Sequence, residues 1–431
     1  MATIKKKMDK RGKSTMKKGM AGAKKNSRKA GSPKKAQARK RVVVTGAAGF
    51  VGSHMVEELA DAGFKVIATD LPGSDLSVAR EAGAEVIEAD LTDAASLKRA
   101  FGDKVHYVVH VAALYNLRAK RRDLMRVNRD GTRNVAEAAL NADVEHFIYF
   151  STGDIYGQVN RPATEDTPAN PLNSYAESKL AGERVLRRLH HKSGLPLTSI
   201  RPTVVYGPRC RYTASTFFSI PGIVYNIETK LKRDIRELPV FSDGPRVSWV
   251  HVRDITGAVR FLLGRTSAIG KAYNVADDNP MTLEELFTLI FEAFGYRWVP
   301  TIPYPTQLAA AIARLGMMMP PFMFEFVAKF MKTNWGETQK RLNLSDALVP
   351  DFSRDFMSFM LGDRVYDNSR IKELGYKLRY PDSREGMRET FKWYQKNRWL
   401  PRADEVWERD NSILTDCPHP TRKEDRRRCS H

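Results

Sequence analysis

Residues Arg41 to Gly52 read RVVVTGAAGFVG. Arg41-Val42-Val43-Val44 predicts a buried strand, because three β-branched residues in a row suit a parallel strand covered on both faces. Gly46, Gly49 and Gly52 follow in G-x-x-G-x-x-G spacing, and a helical pattern runs from Phe50 to about Ala62. Such a turn lets the backbone bend sharply, approach phosphates closely and pack the helix against the strand, with the amides of the helix start facing the anion. An ordinary tight turn needs one glycine rather than three. The stretch predicts a cradle for a dinucleotide pyrophosphate.

Working outward, a second strand, Lys65–Thr69, ends in Asp70, about twenty residues beyond the turn, where an acid accepts hydrogen bonds from the adenosine ribose. A carboxylate there repels the extra phosphate of NADP, so NAD is the expected cofactor. The next basic residue, Arg80, lies too far along the chain to reverse this. Strands are expected at Glu85–Ala89, Tyr107–Val111 and His146–Phe150, with a long helix over roughly Asp123–Asn141. Repeated βα alternation predicts an α/β fold, a Rossmann-type doubly wound parallel sheet with a smaller, mostly C-terminal substrate domain. The expected organisation is a basic disordered tail at 1–40 and an NAD-binding domain at 41–202, with a returning segment near 247–276. A substrate domain at 203–246 and 277–400 and a polar C-terminal tail at 401–431 complete it.

Charge is unevenly spread. Met1–Arg41 holds seventeen Lys/Arg against one acid, Asp9, and so supplies +16 of the net +21 of the 431-residue chain. The rest is only mildly basic, so bulk charge does not make the body a nucleic-acid binder. The tail has almost no large apolar side chains and is expected to be disordered. It can bind polyanions or an anionic membrane, or be a merely solvated extension. Cys210, Cys417 and Cys429 are too few and scattered for a disulfide framework or a metal site, and they suit a reducing compartment. No secretory signal or spanning helix is legible, so a cytoplasmic location, peripheral to a membrane, is expected.

After the fifth strand comes Ser151-Thr152-Gly153-Asp154-Ile155-Tyr156-Gly157, and then Tyr175-Ala176-Glu177-Ser178-Lys179. On a helix, Tyr175 and Lys179 share a face. A cation there lowers the phenol pKa, and a hydroxyl from Thr152 or Ser151 can hold the substrate oxygen. The expected catalytic set is Thr152, Tyr175 and Lys179.

These motifs resemble the extended short-chain dehydrogenase/reductases, the NAD-dependent epimerase/dehydratase family, over about 41–395. Thr45-Gly46-Ala47-Ala48-Gly49-Phe50-Val51-Gly52 looks like its cofactor turn, Asp90-Leu91 its adenine-contacting pair, and Val111-Ala112-Ala113 its post-strand segment. Asn128 looks like its helix asparagine, and Pro202, in Arg201-Pro202-Thr203, like the proline after the active site. The resemblance implies cofactor contacts from all of these and from Tyr175 and Lys179. Val250–Ile255 and Tyr273-Asn274-Val275 match later landmarks of the family.

Departures shape the substrate expectation. Nucleotide-sugar members usually carry Asn where this chain has Val204, and often Arg where it has Val247, although Arg246 is adjacent. An arginine pair usually precedes the late Gly-Asp; here Phe359-Met360-Leu361 precede Gly362-Asp363. A diphosphate needs fixed cationic donors, so the expected substrate is lipophilic and sterol-like, and the closest branch is the 3β-hydroxysteroid dehydrogenases. Sugar dehydratases also place an acid or serine directly after the catalytic Thr, where Gly153 stands, although Asp154 lies one place further and keeps that reading open. The alternatives are a nucleotide-sugar epimerase or dehydratase, and an NAD-binding regulatory protein with a nucleic-acid-binding tail. Phe322, Met323, Phe326, Val327, Phe330 and Met331 form one helical face, opposite Glu325 and Lys329. That face reads as a substrate lid, as an interfacial membrane helix, or as packing within the substrate domain. A homodimer is a further expectation.

Overall fold

Seven short strands form one parallel sheet: β1 Arg41–Thr45, β2 Lys65–Asp70, β3 Glu85–Glu88, β4 Tyr107–His110, β5 His146–Phe150, β6 Leu197–Pro202 and β7 Ala272–Val275. Their order is β7-β6-β5-β4-β1-β2-β3. The computed structural model describes residues 39–407, except 103, 117, 160, 233–236 and 353–361. The expected tail at 1–40, save its last two residues, the Phe359-Met360-Leu361 departure, Cys417 and Cys429 lie outside the described residues.

The sheet is doubly wound because its side chains alternate between two apolar layers. Val42 and Val44 of β1 point into a core with Met55, Val56 and Leu59 of helix α1 (Phe50–Asp61) and with Ile255, Val259 and Leu262. Val43 points the other way, into a core with Val135 and Ala139 of α2 (Thr132–Asn141) and Leu186 of α3 (Ser174–Ser193). Strand β1 is central, with Val43 opposite Ile67 on one side and Val108 on the other. The strand order reverses between β1 and β4, so a crevice opens beyond their C-terminal ends, where doubly wound sheets bind ligands.

A second core lies beyond the sheet. Phe217 and Phe218 of α4 (Thr213–Leu231) pack there with Trp249, Met281, Phe291, Trp335 and Tyr394. The body continues at least to Val406, which is buried, and Arg398 is paired with Glu405 at 2.5 Å.

One expected element is subdivided. The helix over roughly Asp123–Asn141 is an α segment Arg121–Met125, a π segment Arg126–Gly131, and then α2. The wider π turn sits where Asn128 is buried and bonded to another segment's backbone, a local device common near functional sites.

Candidate active site

The glycine turn closes on its neighbours. Gly46 has φ +72°, and a Cβ there would lie 2.7 Å from Ala112 Cα; a Cβ on Gly52 would fall 1.8 Å from the Gly46 carbonyl oxygen. Helix α1 then starts with no acid in its first turn, so nothing neutralises its positive end. Asp70 is fixed beside it: Oδ2 accepts from the Ala48 amide at 2.9 Å and Oδ1 from the Leu71 amide at 2.8 Å.

A cavity of about 590 Å³ runs from this turn to Thr152, Tyr175 and Lys179. Of the expected cofactor residues, Gly46, Gly49, Phe50, Val51, Gly52, Asp70, Asp90, Leu91, Ala112, Ala113, Tyr175, Lys179 and Pro202 line it. Asn128 does not. It is buried, its amide nitrogen donates to the Leu114 carbonyl at 3.1 Å and to Ser178 Oγ at 2.9 Å, and its oxygen accepts from the Leu114 amide at 2.7 Å. The residue implied as a cofactor contact is therefore a clamp on the cavity wall, with every amide group already bonded.

Helix α3 positions the tyrosine and lysine. The Asn173 side chain caps it by accepting from the Ala176 amide at 2.8 Å. Lys179 is 1% exposed, and its ammonium sits 4.4 Å from the centre of the Tyr149 ring. Burial pulls its pKa down to about 7, against the pull of Glu183. Tyr175 departs from expectation. Burial, then Tyr115, Asp154 and Tyr212, push its pKa up, with no lowering by Lys179. The Lys179 ammonium lies over the Tyr149 ring instead. Thr152 Oγ1 accepts from the Asp154 amide at 3.2 Å, which leaves its hydroxyl hydrogen to donate into the cavity.

Several cavity residues carried no sequence motif. The Tyr115 ring meets Tyr175 edge to face at 4.9 Å and Tyr212 at 5.2 Å, an aromatic wall over the tyrosine. Asp154 faces the cavity and is paired with Arg364 at 3.1 Å. Arg126, from the π segment, also lines it. Behind the turn, Thr45 Oγ1 accepts from the Ala112 amide at 3.2 Å and so donates to His110 Nδ1 at 2.7 Å. His110 Nε2–H then donates to Thr132 Oγ1 at 2.9 Å, which donates to the Asn128 carbonyl at 2.8 Å. Only a neutral histidine completes this chain, and burial holds its pKa down at about 3. The pairing of Thr45 with a histidine one strand away is invisible until the strands are aligned.

The landmark residues prove to be scaffold. Arg201 is buried and bonds Glu183 of α3 at 2.5 Å and the Tyr156 hydroxyl at 2.8 Å, and Tyr156 donates to Asn274 Oδ1 at 2.7 Å. Asp254 accepts from the amides of Arg379 and Tyr380. Arg246 bonds Asp363 at 3.0 Å and is outside the cavity lining. Val204 does line the cavity, and Val247 is buried elsewhere.

The wound sheet, the glycine cradle and the tyrosine–lysine helix define a dinucleotide-dependent enzyme class. Residues 42–276 match the NAD dependent epimerase/dehydratase family, and the chain belongs to it; its cofactor is NAD. It is 32% identical over 271 residues to UDP-glucose 4-epimerase of Mycolicibacterium smegmatis, covering 59% of this chain and 83% of that one. It is 29% identical over 272 residues to dTDP-glucose 4,6-dehydratase of Streptomyces griseus, covering 60% and 79%. The solved UDP-glucose 4-epimerase of Thermus thermophilus, in complex with NAD, superposes with a TM-score of 0.56 at 25% identity, over 82% of this chain and 99% of that one. These relatives carry nucleotide-sugar names, so the expected kinship with the sterol dehydrogenase branch gives way to the wider family.

Proposed function

We propose that this protein is a nucleotide-sugar epimerase-type enzyme, which oxidises a sugar hydroxyl transiently and returns the hydride to the other face. The observation that carries it is the single cavity joining the cofactor cradle to Thr152, Tyr175, Lys179 and the Asp154 carboxylate. The cradle fits NAD: Gly46 and Gly52 leave no room for a Cβ, and Asp70 is bonded in place for a ribose. NAD, when bound, accepts hydride from the carbinol carbon and gives it back, so no net oxidant is consumed. Tyr175 Oη takes the hydroxyl proton and later restores it. Thr152 donates its hydroxyl hydrogen to the substrate oxygen. Lys179, able to carry charge near neutrality, stabilises the Tyr175 phenolate that takes this proton. Residues 41–202 carry the cofactor, and 203–246 with 277–400 hold the substrate over it.

Epimerisation is favoured over dehydration by Gly153. A Cβ there would lie 3.0 Å from the Tyr366 ring, so the acid that dehydratases place directly after the threonine would have to displace that ring. A second reading, oxidation of a lipophilic secondary alcohol such as a 3β-hydroxysteroid, is favoured by Val204 in the cavity wall beside Tyr212 and Leu114. The test is a panel of UDP- and dTDP-sugars scored by product analysis, with 3β-hydroxysteroids scored by NADH formation. An epimerised sugar is expected, with Tyr175→Phe slower by roughly two to four decades and NADH affinity nearly unchanged. If every sugar is recovered intact while a steroid yields NADH, the second reading replaces the first.

A further inference from the structure

Two helices stand out by what they leave uncovered. Helix α5 (Thr306–Met318) and helix α6 (Pro321–Arg341) are joined by only Met319 and Pro320. On α5, Leu308, Ile312, Leu315 and Met318 are all exposed, Met318 at 81%. On α6, Phe322 is 67% and Phe326 74% exposed, with Phe330 following on the same side. Its other side (Phe324, Ala328, Met331 and Trp335) is buried in the body. The outward phenylalanines are therefore in excess of what packing requires. Exposed apolar surface on this scale marks an interaction site.

The composition of the hairpin selects its partner. From Leu315 to Phe324 the sequence is LGMMMPPFMF, ten residues without one polar side chain. Charges begin farther back on both helices: Arg314 on α5, and Lys329 and Lys332 on α6, all exposed, against one exposed acid, Glu325. At 1.5 Å per residue, Lys329 lies roughly 10 Å along the axis from Phe322, about the depth to which an interfacial helix buries its apolar face. Long basic side chains at that level reach headgroups while their stems stay in apolar surroundings. The 17 cations of Met1–Arg41 add a polybasic segment to the same chain. An apolar anchor plus a polybasic patch are the two signals that stable peripheral binding requires. No helix among the described residues is long and apolar enough to cross a membrane.

We propose that the α5–α6 hairpin inserts its Met/Phe tip into one leaflet of a bilayer containing anionic phospholipid. Phe217 and Phe218 are buried and take no part. The test is flotation of the full chain with phosphatidylcholine vesicles, with and without phosphatidylserine. It compares wild type, Phe322→Asp/Phe326→Asp, and a 1–40 deletion at low and high salt, with NADH binding as the check on folding. Wild type is expected to float with anionic vesicles. The double variant should lose roughly tenfold or more of the binding that survives high salt. The deletion should lose only the salt-sensitive share. In Phe322→Trp, a protein with its surface otherwise intact, brominated lipids should quench fluorescence beyond the wild-type background. The proposal is overturned if wild type does not float, if the folded double variant floats equally well in high salt, or if bromine adds no quenching. It is equally overturned if the double variant instead splits a dimer in light scattering without any vesicle binding, which would make the face a contact between copies.

Discussion

At the scale of single residues, the cofactor end of the cavity is set by one carboxylate. Asp70 is held by two backbone amides and by Ser74 Oγ at 3.4 Å, so it cannot swing away from a 2′-phosphate. Wild-type protein is expected to bind NADH more tightly than NADPH in fluorescence titrations, and Asp70→Ala should narrow the gap. Tighter NADPH binding by wild type would contradict this role. The catalytic end is less self-evident from residue types. A tyrosine and a lysine four apart share a helix face, yet in the folded chain Lys179 faces the Tyr149 ring, and Tyr175 is enclosed by Tyr115 and Tyr212. Burial raises its pKa, so the phenol rests protonated at neutral pH and is ionised before it can take a proton.

At the scale of elements, the π segment decides how the cavity wall is held. Asn128 bonds both the amide and the carbonyl of Leu114 and also reaches Ser178 on α3, so it ties three segments together. Removing it leaves buried backbone groups unpaired, a cost of about 1–3 kcal/mol. Asn128→Ala should therefore unfold at lower urea concentration and bind NADH more weakly through a displaced Ala112–Tyr115 wall. Unaltered stability and affinity would show that the clamp is idle. The Arg201–Glu183 pair has a similar place. It fixes α3, with its tyrosine and lysine, to strand β6.

At the scale of the whole molecule, burial has set the acid limit of stability. His54 and His146 are pushed down to about 4, and His110 and His251 to about 3, in each case mainly by burial. Between those values and about 6.5 the unfolded chain binds more protons than the folded one, so stability rises with pH and is lost as pH falls below 6.5. Asp277, raised to about 7 by burial, acts in the opposite sense between 3.8 and 7, as do Asp254 and Glu165, which burial also raises; three carboxyls stand against the four histidines. The urea midpoint should fall between pH 7 and pH 5; a higher midpoint at pH 5 would show that the histidines are not held neutral. The basic tail supplies the other prediction at this scale. Deleting residues 1–40 should leave catalysis unchanged and abolish retention on heparin at low salt, because the sixteen cations removed bind polyanions by releasing counterions. A large loss of activity would mean instead that the tail serves the enzyme body.

The sequence by itself determined the wound sheet and the cofactor end of the site. Buried β-branched runs, three spaced glycines and an acid at the next strand end are local signals, and each acts through backbone geometry that near neighbours control. The trio proposed as catalytic was legible for the same reason, since Thr152 follows a strand end and Tyr175 and Lys179 lie one helical turn apart. Only the tertiary structure decided the rest. Thr45 meets His110, and Asp154 meets Arg364, across gaps that no periodicity encodes. Asn128 changed from an expected contact to a clamp because a π turn brought it against Leu114. Helix α6 carries large apolar residues on more than one side, so its pattern could not say which phenylalanines face water. The fit of Phe324, Ala328 and Trp335 against the body chose the buried side and left Phe322 and Phe326 outside.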